Sequence, residues 1–333
     1  MSHYGIIENI YKRASRIPRR IIFPDSTDVR TLRAVAIVSK AGIACPVLVG
    51  VRKEVQESAR ALGVSLAGVE ICEPDATSKD RYAAEQLEKW RSQGTTVIEA
   101  RRRLEDPVYF GASMVHAGDA DGLVGGGAQS DFKRAVLLCI GCDSGSTTVS
   151  RYFLMALPSP RDGEGIVFAD SGETASPSGS RLASIAIAAA SSTLRLLGQK
   201  PRLAFLSFSP VASLEFKNRF QSAEADLHHR VQRAFVTLRA RGGELIADGE
   251  LRTTIGFAGD GETPAESASN TFVFPDTEAG NLGHRLAQRV DGARVVGPII
   301  QGLARPANSL PSRYSVEDVV ELTAITAVDA GSE

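Results

Sequence analysis

The 333-residue chain contains no Gly-Lys dipeptide, so it has no P-loop to cradle a nucleoside triphosphate. It also lacks a G-x-S-x-G elbow, an H-E-x-x-H helix and a complete G-x-G-x-x-G turn. ATP-driven, α/β-hydrolase and zincin chemistry fall on those absences. Cysteine is scarce: Cys45, Cys72, Cys139 and Cys142 are too few and too scattered for a disulfide framework. Cys139-x-x-Cys142 is a lone pair without the second pair that a four-ligand zinc site needs, so packing is the expected role. The five histidines, His3, His116, His228, His229 and His284, show no ligand spacing, and no metal is expected. Long apolar runs are missing too. Leu182 to Ala190 is interrupted by Ser184 and is too short to cross a bilayer, and the N-terminus has no apolar signal core, so cytoplasmic residence is the expectation. Neither sign of charge prevails, with 38 Lys and Arg against 39 Asp and Glu. Nucleic acid and membrane surfaces are therefore not expected partners, and an anionic substrate would have to be held by local arginines.

What is present is an ordinary globular composition, 43% hydrophobic, in a chain longer than the roughly 250 to 300 residues at which single cores stop growing. Two domains are expected. Arg20 to Pro24 reads as a strand, Asp28 to Ala41 as a helix stopped by Gly42, and Pro46 to Gly50 as the next strand. That alternation implies βαβ units and a parallel sheet. It continues through Glu54 to Leu62, Val69 to Cys72, and a helix from Ser78 to Gln93 introduced by Thr77-x-x-Asp80. Thr96-x-x-Glu99 caps another helix, and Asp106-Pro107 starts a third. Gly122 to Gly127 is a strand entering a glycine turn, followed by a helix from Ser130 to Ile140 whose first amides suit an anion. The rhythm breaks at Asp143 to Ser146. It resumes with strands over Thr147 to Leu157 and Gly165 to Asp170, a helix from Gly179 to Leu197, and a strand from Arg202 to Phe208. Then come a helix over Ala225 to Arg241, strands at Glu244 to Ala247 and Asn270 to Phe274, a helix opened by Gly280 to Gly283, and a strand from Arg294 to Ile300.

Several arginines stand where a phosphate-handling enzyme needs them. Arg91 lies near a helix end, which the helix dipole alone would favour. Arg134 lies one turn into its helix, a poor place for a cation unless an anion is near. Arg101 to Arg103 reads as a solvated face. At the C-terminal end, Ser315-x-x-Asp318 opens the last helix as a capping box. Asp318 therefore has two readings, a cap for backbone N–H groups or a general base at a loop-helix junction.

The order of motifs resembles the phosphate acetyl/butyryltransferase family over nearly the whole chain. The similar segments are Leu87-x-x-x-Arg91, Asp106-Pro-Val-Tyr-Phe-Gly111, Asp131-Phe-Lys-Arg134, Val167-Phe-Ala-Asp170, Leu206-Ser-Phe-Ser209, Phe274-Pro-Asp276 with Gly280-Asn281, and Gly297 to Pro306. The resemblance implies two α/β/α domains with mostly parallel sheets and an interdomain cleft, as in isocitrate and isopropylmalate dehydrogenases. The first domain would be discontinuous, residues 1–145 plus 300–333, and the second would span 146–299. The implied activity is reversible conversion of acetyl-CoA and phosphate to acetyl phosphate and CoA in a cytoplasmic homodimer, with CoA as co-substrate and no further cofactor. Carried over residue by residue, Arg91 and Arg134 would bind phosphate, Asp318 would be the base that deprotonates CoA, and Arg313, with Ser312, would stabilise the acyl oxygen.

The loop before the last helix departs from the family. Where members read Asn-Asp-Leu-Ser-Arg-Gly-Cys-Ser, this chain has Asn308, Ser309, Leu310, Pro311, Ser312, Arg313, Tyr314 and Ser315. The serine and arginine are each displaced by one residue, about 3.3 to 3.8 Å of extended chain. A flexible arginine spans that distance more easily than a serine. The family's Thr-Lys-Gly-Ser is also replaced, by Pro210 to Ser213, and its His-Ser-Thr is replaced around Gly126 to Gln129. Two alternatives therefore stay open, another short acyl group or a non-catalytic acyl-CoA-binding homologue. An isopropylmalate-type dehydrogenase is a weaker third, because no clustered set of metal-binding aspartates is evident.

Overall fold

The computed structural model describes residues 5–91, 94–126, 131–143, 148–157, 165–170, 172, 176–207, 230, 233–234, 236–237, 246–252, 269–289 and 292–331. The chain divides into two compact units, Ile7–Ser144 with Gly297–Glu333, and Met1–Ile6 with Gly145–Val296.

The first of these is built on five parallel strands, β1 (Arg19–Phe23), β2 (Ala44–Val49), β3 (Glu70–Cys72), β4 (Gly122–Gly125) and β11 (Ala307–Ser309), in the order β11-β4-β1-β2-β3. Helices α1 (Gly5–Ala14), α2 (Val29–Lys40), α3 (Arg52–Ala61), α4 (Ala76–Arg91), α5 (Val97–Arg103), α6 (Pro107–Ala117) and α7 (Phe132–Cys139) precede the boundary. The last helix, α10 (Val316–Ala330), returns to this unit and packs on α2, β1 and β4. Parallel strands covered on both faces read as continuous apolar runs, and Ile21, Ile22 and Phe23 are all fully buried. Successive residues serve opposite faces. Ile22 faces α6, where Gly111 lets the helix come so close that a Cβ would lie 2.7 Å from its side chain. Ile21 faces α10, where Gly122 leaves room for Thr326 in the same way.

The second unit holds β5 (Ser150–Ala156), β6 (Gly165–Asp170), β7 (Arg202–Ser207), β8 (Ile246–Arg252), β9 (Thr271–Val273) and the start of β10 (Arg294–Gln301), which belongs to the first unit from Gly297 on; the sheet is ordered β10-β5-β6-β9-β7-β8. Its β5 and β6 are antiparallel, whereas β6, β9, β7 and β8 run parallel. Helix α8 (Gly179–Leu197) packs on β6, β7 and β9, and α9 (Thr277–Ala287) packs on β6.

Three local expectations are corrected. Helix α4 begins before Ser78, because Asp75, not Thr77, accepts the Ser78 N–H at 2.7 Å, and Asp80 instead pairs with Arg101. Strand β8 runs on to Arg252, because its ladder with β7 extends to Ser207↔Arg252. Helix α9 is opened by Asp276, whose side chain accepts from Ala279 N at 2.7 Å. Gly280 and Gly283 lie inside that helix because a Cβ there would strike Asp170 at 2.6 Å and the Phe274 ring at 2.5 Å. The helix expected over Ala225 to Arg241 falls mostly outside the described residues.

Candidate active site

In a parallel sheet the side chains available to a ligand collect beyond the carboxyl ends of the strands, above all where strand order reverses. Here β1 has β2 on one side and β4 on the other, so that point lies between β1 and β4. Asp25, just past β1, accepts the N–H of Gly126, just past β4, at 2.7 Å. Leu310, just past β11, donates its N–H to Gly125 O at 3.0 Å. Three strand ends are thus tied together, and the chain leaves two of them for α7 and α10.

The α10 start is a closed capping box. Ser315 N and Oγ donate to Asp318 Oδ2 at 2.7 and 2.9 Å, and Asp318 N donates back to Ser315 Oγ at 3.1 Å. The stretch before it has buried ends and an open middle: Leu310 and Tyr314 are buried, while Ser312 and Arg313 are exposed. Tyr314 is held by Arg30, whose Cζ sits 3.6 Å from the ring centroid and whose Nη1 donates to Tyr314 O at 3.4 Å. Burial, then the neighbouring Asp28 carboxylate, pushes the Tyr314 phenol up to about 12. Asp28 caps α2 through the N–H groups of Arg30 and Thr31 and takes the other edge of the Arg30 fork at 3.2 and 2.9 Å. Burial alone would raise the Asp28 carboxyl, but those bonds outweigh it and hold it below its ordinary value. Asn308, buried beneath the loop, accepts from Ile300 N at 2.8 Å and donates to Thr326 Oγ1 at 2.9 Å, so the base of the loop is fixed to β10 and α10.

Arg134 is exposed in the first turn of α7, whose Ncap residue Asp131 makes no side-chain capping bond. Residues 127–130, where the glycine turn and helix start were expected to offer amides, lie outside the described residues. Arg91 is the exposed last residue of α4. The end of α4 is fixed against the end of α7. Gln86 Nε2 and Lys89 Nζ donate to Cys139 O, each at 3.2 Å, and Trp90 Nε1 donates to Leu138 O at 3.3 Å. Three donors thus meet the carbonyls that a helix C-terminus leaves unpaired. Arg91 and Arg134 therefore belong to helices in direct contact, and Ser312, Arg313 and Asp318 belong to one loop and helix start. Arg134 and the loop that carries Ser312, Arg313 and Asp318 follow the paired strands β4 and β11, whereas Arg91 ends the helix that follows β3.

A cavity of about 570 Å³ opens beside Tyr314 at the ends of β1, β2 and β3. Asp25, Asp28, Glu54, Glu73 and Glu105 line it against two cations, Arg30 and Lys79. The helix starts around it already carry the chain's own acids: Asp28 on α2, Glu73 on the first amide of α3 at 3.2 Å, and Asp75 on α4. Such a lining repels phosphate.

Other expectations resolve individually. Cys139 is buried, its thiol pushed up to about 12 by burial, in keeping with a packing role, whereas Cys142 is exposed. Among the described residues no group of three or more His, Cys, Asp or Glu is arranged to hold a metal ion, and no helix is long and apolar enough to cross a membrane. His116 sits 3.3 Å from Lys89, its pKa held below the ordinary value by burial and then by that cation. The arginine triple is not simply a solvated face. Arg101 pairs with Asp80, and Arg103 lies over the Trp90 ring at 5.3 Å. Sequence reading missed Arg30, Asp25 and the buried role of Tyr314, because their partners are remote and carry no local spacing signal. It likewise missed the polar cluster of the other unit. There Arg151 donates to the buried Asp170 at 3.0 Å and to Asn281 at 2.9 Å, joining two of the motifs quoted above.

Known proteins resemble this chain in sequence and in fold. A family model described as Phosphate acetyl/butaryl transferase matches residues 5–327. A phosphate acetyltransferase of Thermoanaerobacterium thermosaccharolyticum is 36% identical over 333 residues, covering 98% of this chain and 99% of the relative. A phosphate acetyltransferase of Bacillus subtilis is 35% identical over 321 residues, covering 93% and 94%. Among solved structures, a phosphotransacetylase from Streptococcus pyogenes superposes with a TM-score of 0.86 at 30% identity, covering 98% of each chain.

Proposed function

Because the chain belongs to the phosphate acetyl/butyryltransferase family, we propose that it moves a short acyl group reversibly between the sulfur of CoA and inorganic phosphate, with acetyl as the first candidate. The observation that carries the reading is the pairing of β4 with β11, which sends Arg134 and the Arg313–Asp318 segment out from neighbouring strand ends. A free thiol with a pKa of about 8.5 is mostly protonated at neutral pH, so attack by CoA on an acyl phosphate needs a base. Asp318, held at the loop-helix junction by its bonds with Ser315, takes that proton. The thiolate attacks the acyl carbon, the carbonyl oxygen gains negative charge, and phosphate leaves as the carbon–oxygen bond breaks. Arg91 and Arg134 hold the phosphate with their planar forks of donors. Arg313, joined by Ser312, meets the charge on the acyl oxygen. The reverse direction uses the same groups, with protonated Asp318 returning its proton to CoA. The enzyme works as a cytoplasmic homodimer with no cofactor beyond its co-substrate CoA.

The test is phosphate-dependent CoA release across a chain-length panel of acyl-CoA substrates, repeated with Arg134→Ala and Asp318→Asn. Unchanged turnover in both variants sinks the assignment of roles. A second reading, a non-catalytic acyl-CoA-binding homologue, is favoured by one feature: Pro311 and Ser312 occupy the positions of the family's serine and arginine. It predicts calorimetric binding of acyl-CoA without release on adding phosphate or arsenate.

A further inference from the structure

Resting on the acyl-transfer reading, we propose that Arg30 is a positioning residue for Asp318, acting through the peptide unit that joins Tyr314 to Ser315. That unit is rigid and planar, so fixing its carbonyl also fixes its N–H. Arg30 Nη1 holds the carbonyl at 3.4 Å. The N–H of the same unit, on Ser315, donates to Asp318 Oδ2 at 2.7 Å. A cation bonded to the C=O polarises the peptide and strengthens the bond made by its N–H. Arg30, the peptide and the Asp318 carboxylate therefore form one hydrogen-bonded chain, with positive charge at one end and negative at the other.

The arginine is itself held in register. Its Nε and Nη2 fork onto Asp28 at 3.2 and 2.9 Å, and its flat face lies 3.6 Å from the Tyr314 ring centroid. One guanidinium thus makes three kinds of contact at once, a fork, a stack and a carbonyl bond, which the single point charge of a lysine does not reproduce. The charged groups around Tyr314 are Asp28, Arg30 and Asp25. Because Leu310 is tied to Gly125 and Tyr314 to Arg30, only Pro311, Ser312 and Arg313 lie between the anchors. The same grip therefore sets where Arg313 stands.

The experiment uses the full chain with Arg30→Met, which keeps the stem and removes the fork, Arg30→Lys, and Arg33→Ala as a control that removes an exposed cation from the same helix. Steady-state kinetics with acetyl-CoA and phosphate should show kcat lowered about ten- to hundredfold in Arg30→Met by misplacement of the base. The KM for phosphate should stay within about twofold, the signature of an interaction that acts in the transition state. Arg30→Lys should recover part of the loss, and Arg33→Ala should match the parent chain. Independently of turnover, the Ser315 amide proton is followed by NMR in serine-labelled protein and assigned with Asp318→Asn. It should move upfield in Arg30→Met, because the bond it donates to Asp318 weakens when the cation leaves the carbonyl. If Arg30→Met fails to fold, Arg30→Lys carries the measurement, with a smaller shift in the same direction expected. An unmoved amide together with unchanged kcat overturns the positioning role and leaves the acyl-transfer reading standing. A moved amide in a protein that turns over no acyl-CoA upholds the coupling and removes the acyl-transfer reading.

Discussion

Helices α7 and α10 leave paired strands at the same edge of one sheet, yet their first turns are finished in opposite ways. The α10 start is satisfied by its own residues: Ser315 and Asp318 close a capping box, and Glu317 and Asp318 bring negative charge to the positive end of the dipole. At α7, Asp131 makes no capping bond with its side chain, the first turn carries no acid, and Lys133 and Arg134 bring positive charge to that end. Cations there cost about 0.3 to 1 kcal/mol each unless an anion answers them. The contrast lies in the first turns themselves: α10 answers its dipole with its own acids, and α7 carries two cations there and no acid.

The largest expected effect comes from separating the two roles of Asp318. At the third helical position an asparagine amide oxygen can still accept the Ser315 N–H, so Asp318→Asn should lower the thermal midpoint only slightly, by the charge lost at the helix dipole. The same change removes a general base, and turnover should fall by about 10² to 10⁴. A lowered midpoint with retained turnover would reduce Asp318 to a cap and erase the contrast. At α7, Arg134→Ala should lower the phosphate-dependent rate by about 10² to 10³. Phosphate should raise the thermal midpoint of the parent chain and not that of this variant, as linkage requires if the anion binds there. Equal stabilisation of both would move the anion elsewhere.

Ser315→Ala tests the structural half of the box on its own. It should cost about 1 kcal/mol in urea unfolding, with the proposed base still present. The smallest effect is alkaline. Burial raises the Tyr314 phenol from its ordinary 10.0 to about 12, and the Cys139 thiol at the far end of α7 from 9.0 to about 12. A raised folded pKa means the unfolded chain loses its proton first, so these contributions are whole below the ordinary values and fade as pH rises toward 12. Tyr314→Phe should therefore flatten the decline in thermal midpoint from pH 10 upward, and Cys139→Ala should flatten it from pH 9. If neither changes the alkaline slope, the two anchors do not govern it.

Most helix boundaries were legible because their signals act over three or four residues. Thr96 with Glu99, Asp106 with Pro107 and Ser315 with Asp318 each cap the helix expected of them. Where two local signals competed, sequence reading erred. Asp75 and Thr77 both offered a cap for α4, and the carboxylate took the Ser78 amide, which leaves Thr77 inside the helix. The Gly280 to Gly283 segment looked like a helix opening, but its glycines answer to a neighbouring strand: one admits Asp170 and the other admits Phe274.

From its residues alone, the chain determined the alternation of strand and helix, the capping boxes and the positions of Arg91, Arg134 and Asp318 in the chain. These follow from apolar periodicity and hydrogen bonds closed within a turn, which spacing records. Only the tertiary structure decided that Arg30 should grip Tyr314 across 284 residues. It likewise decided that Asn308 should lock the loop base, and that Arg103 should lie on Trp90 instead of in solvent. Such contacts depend on where packing brings remote backbones together, and no local spacing encodes that distance.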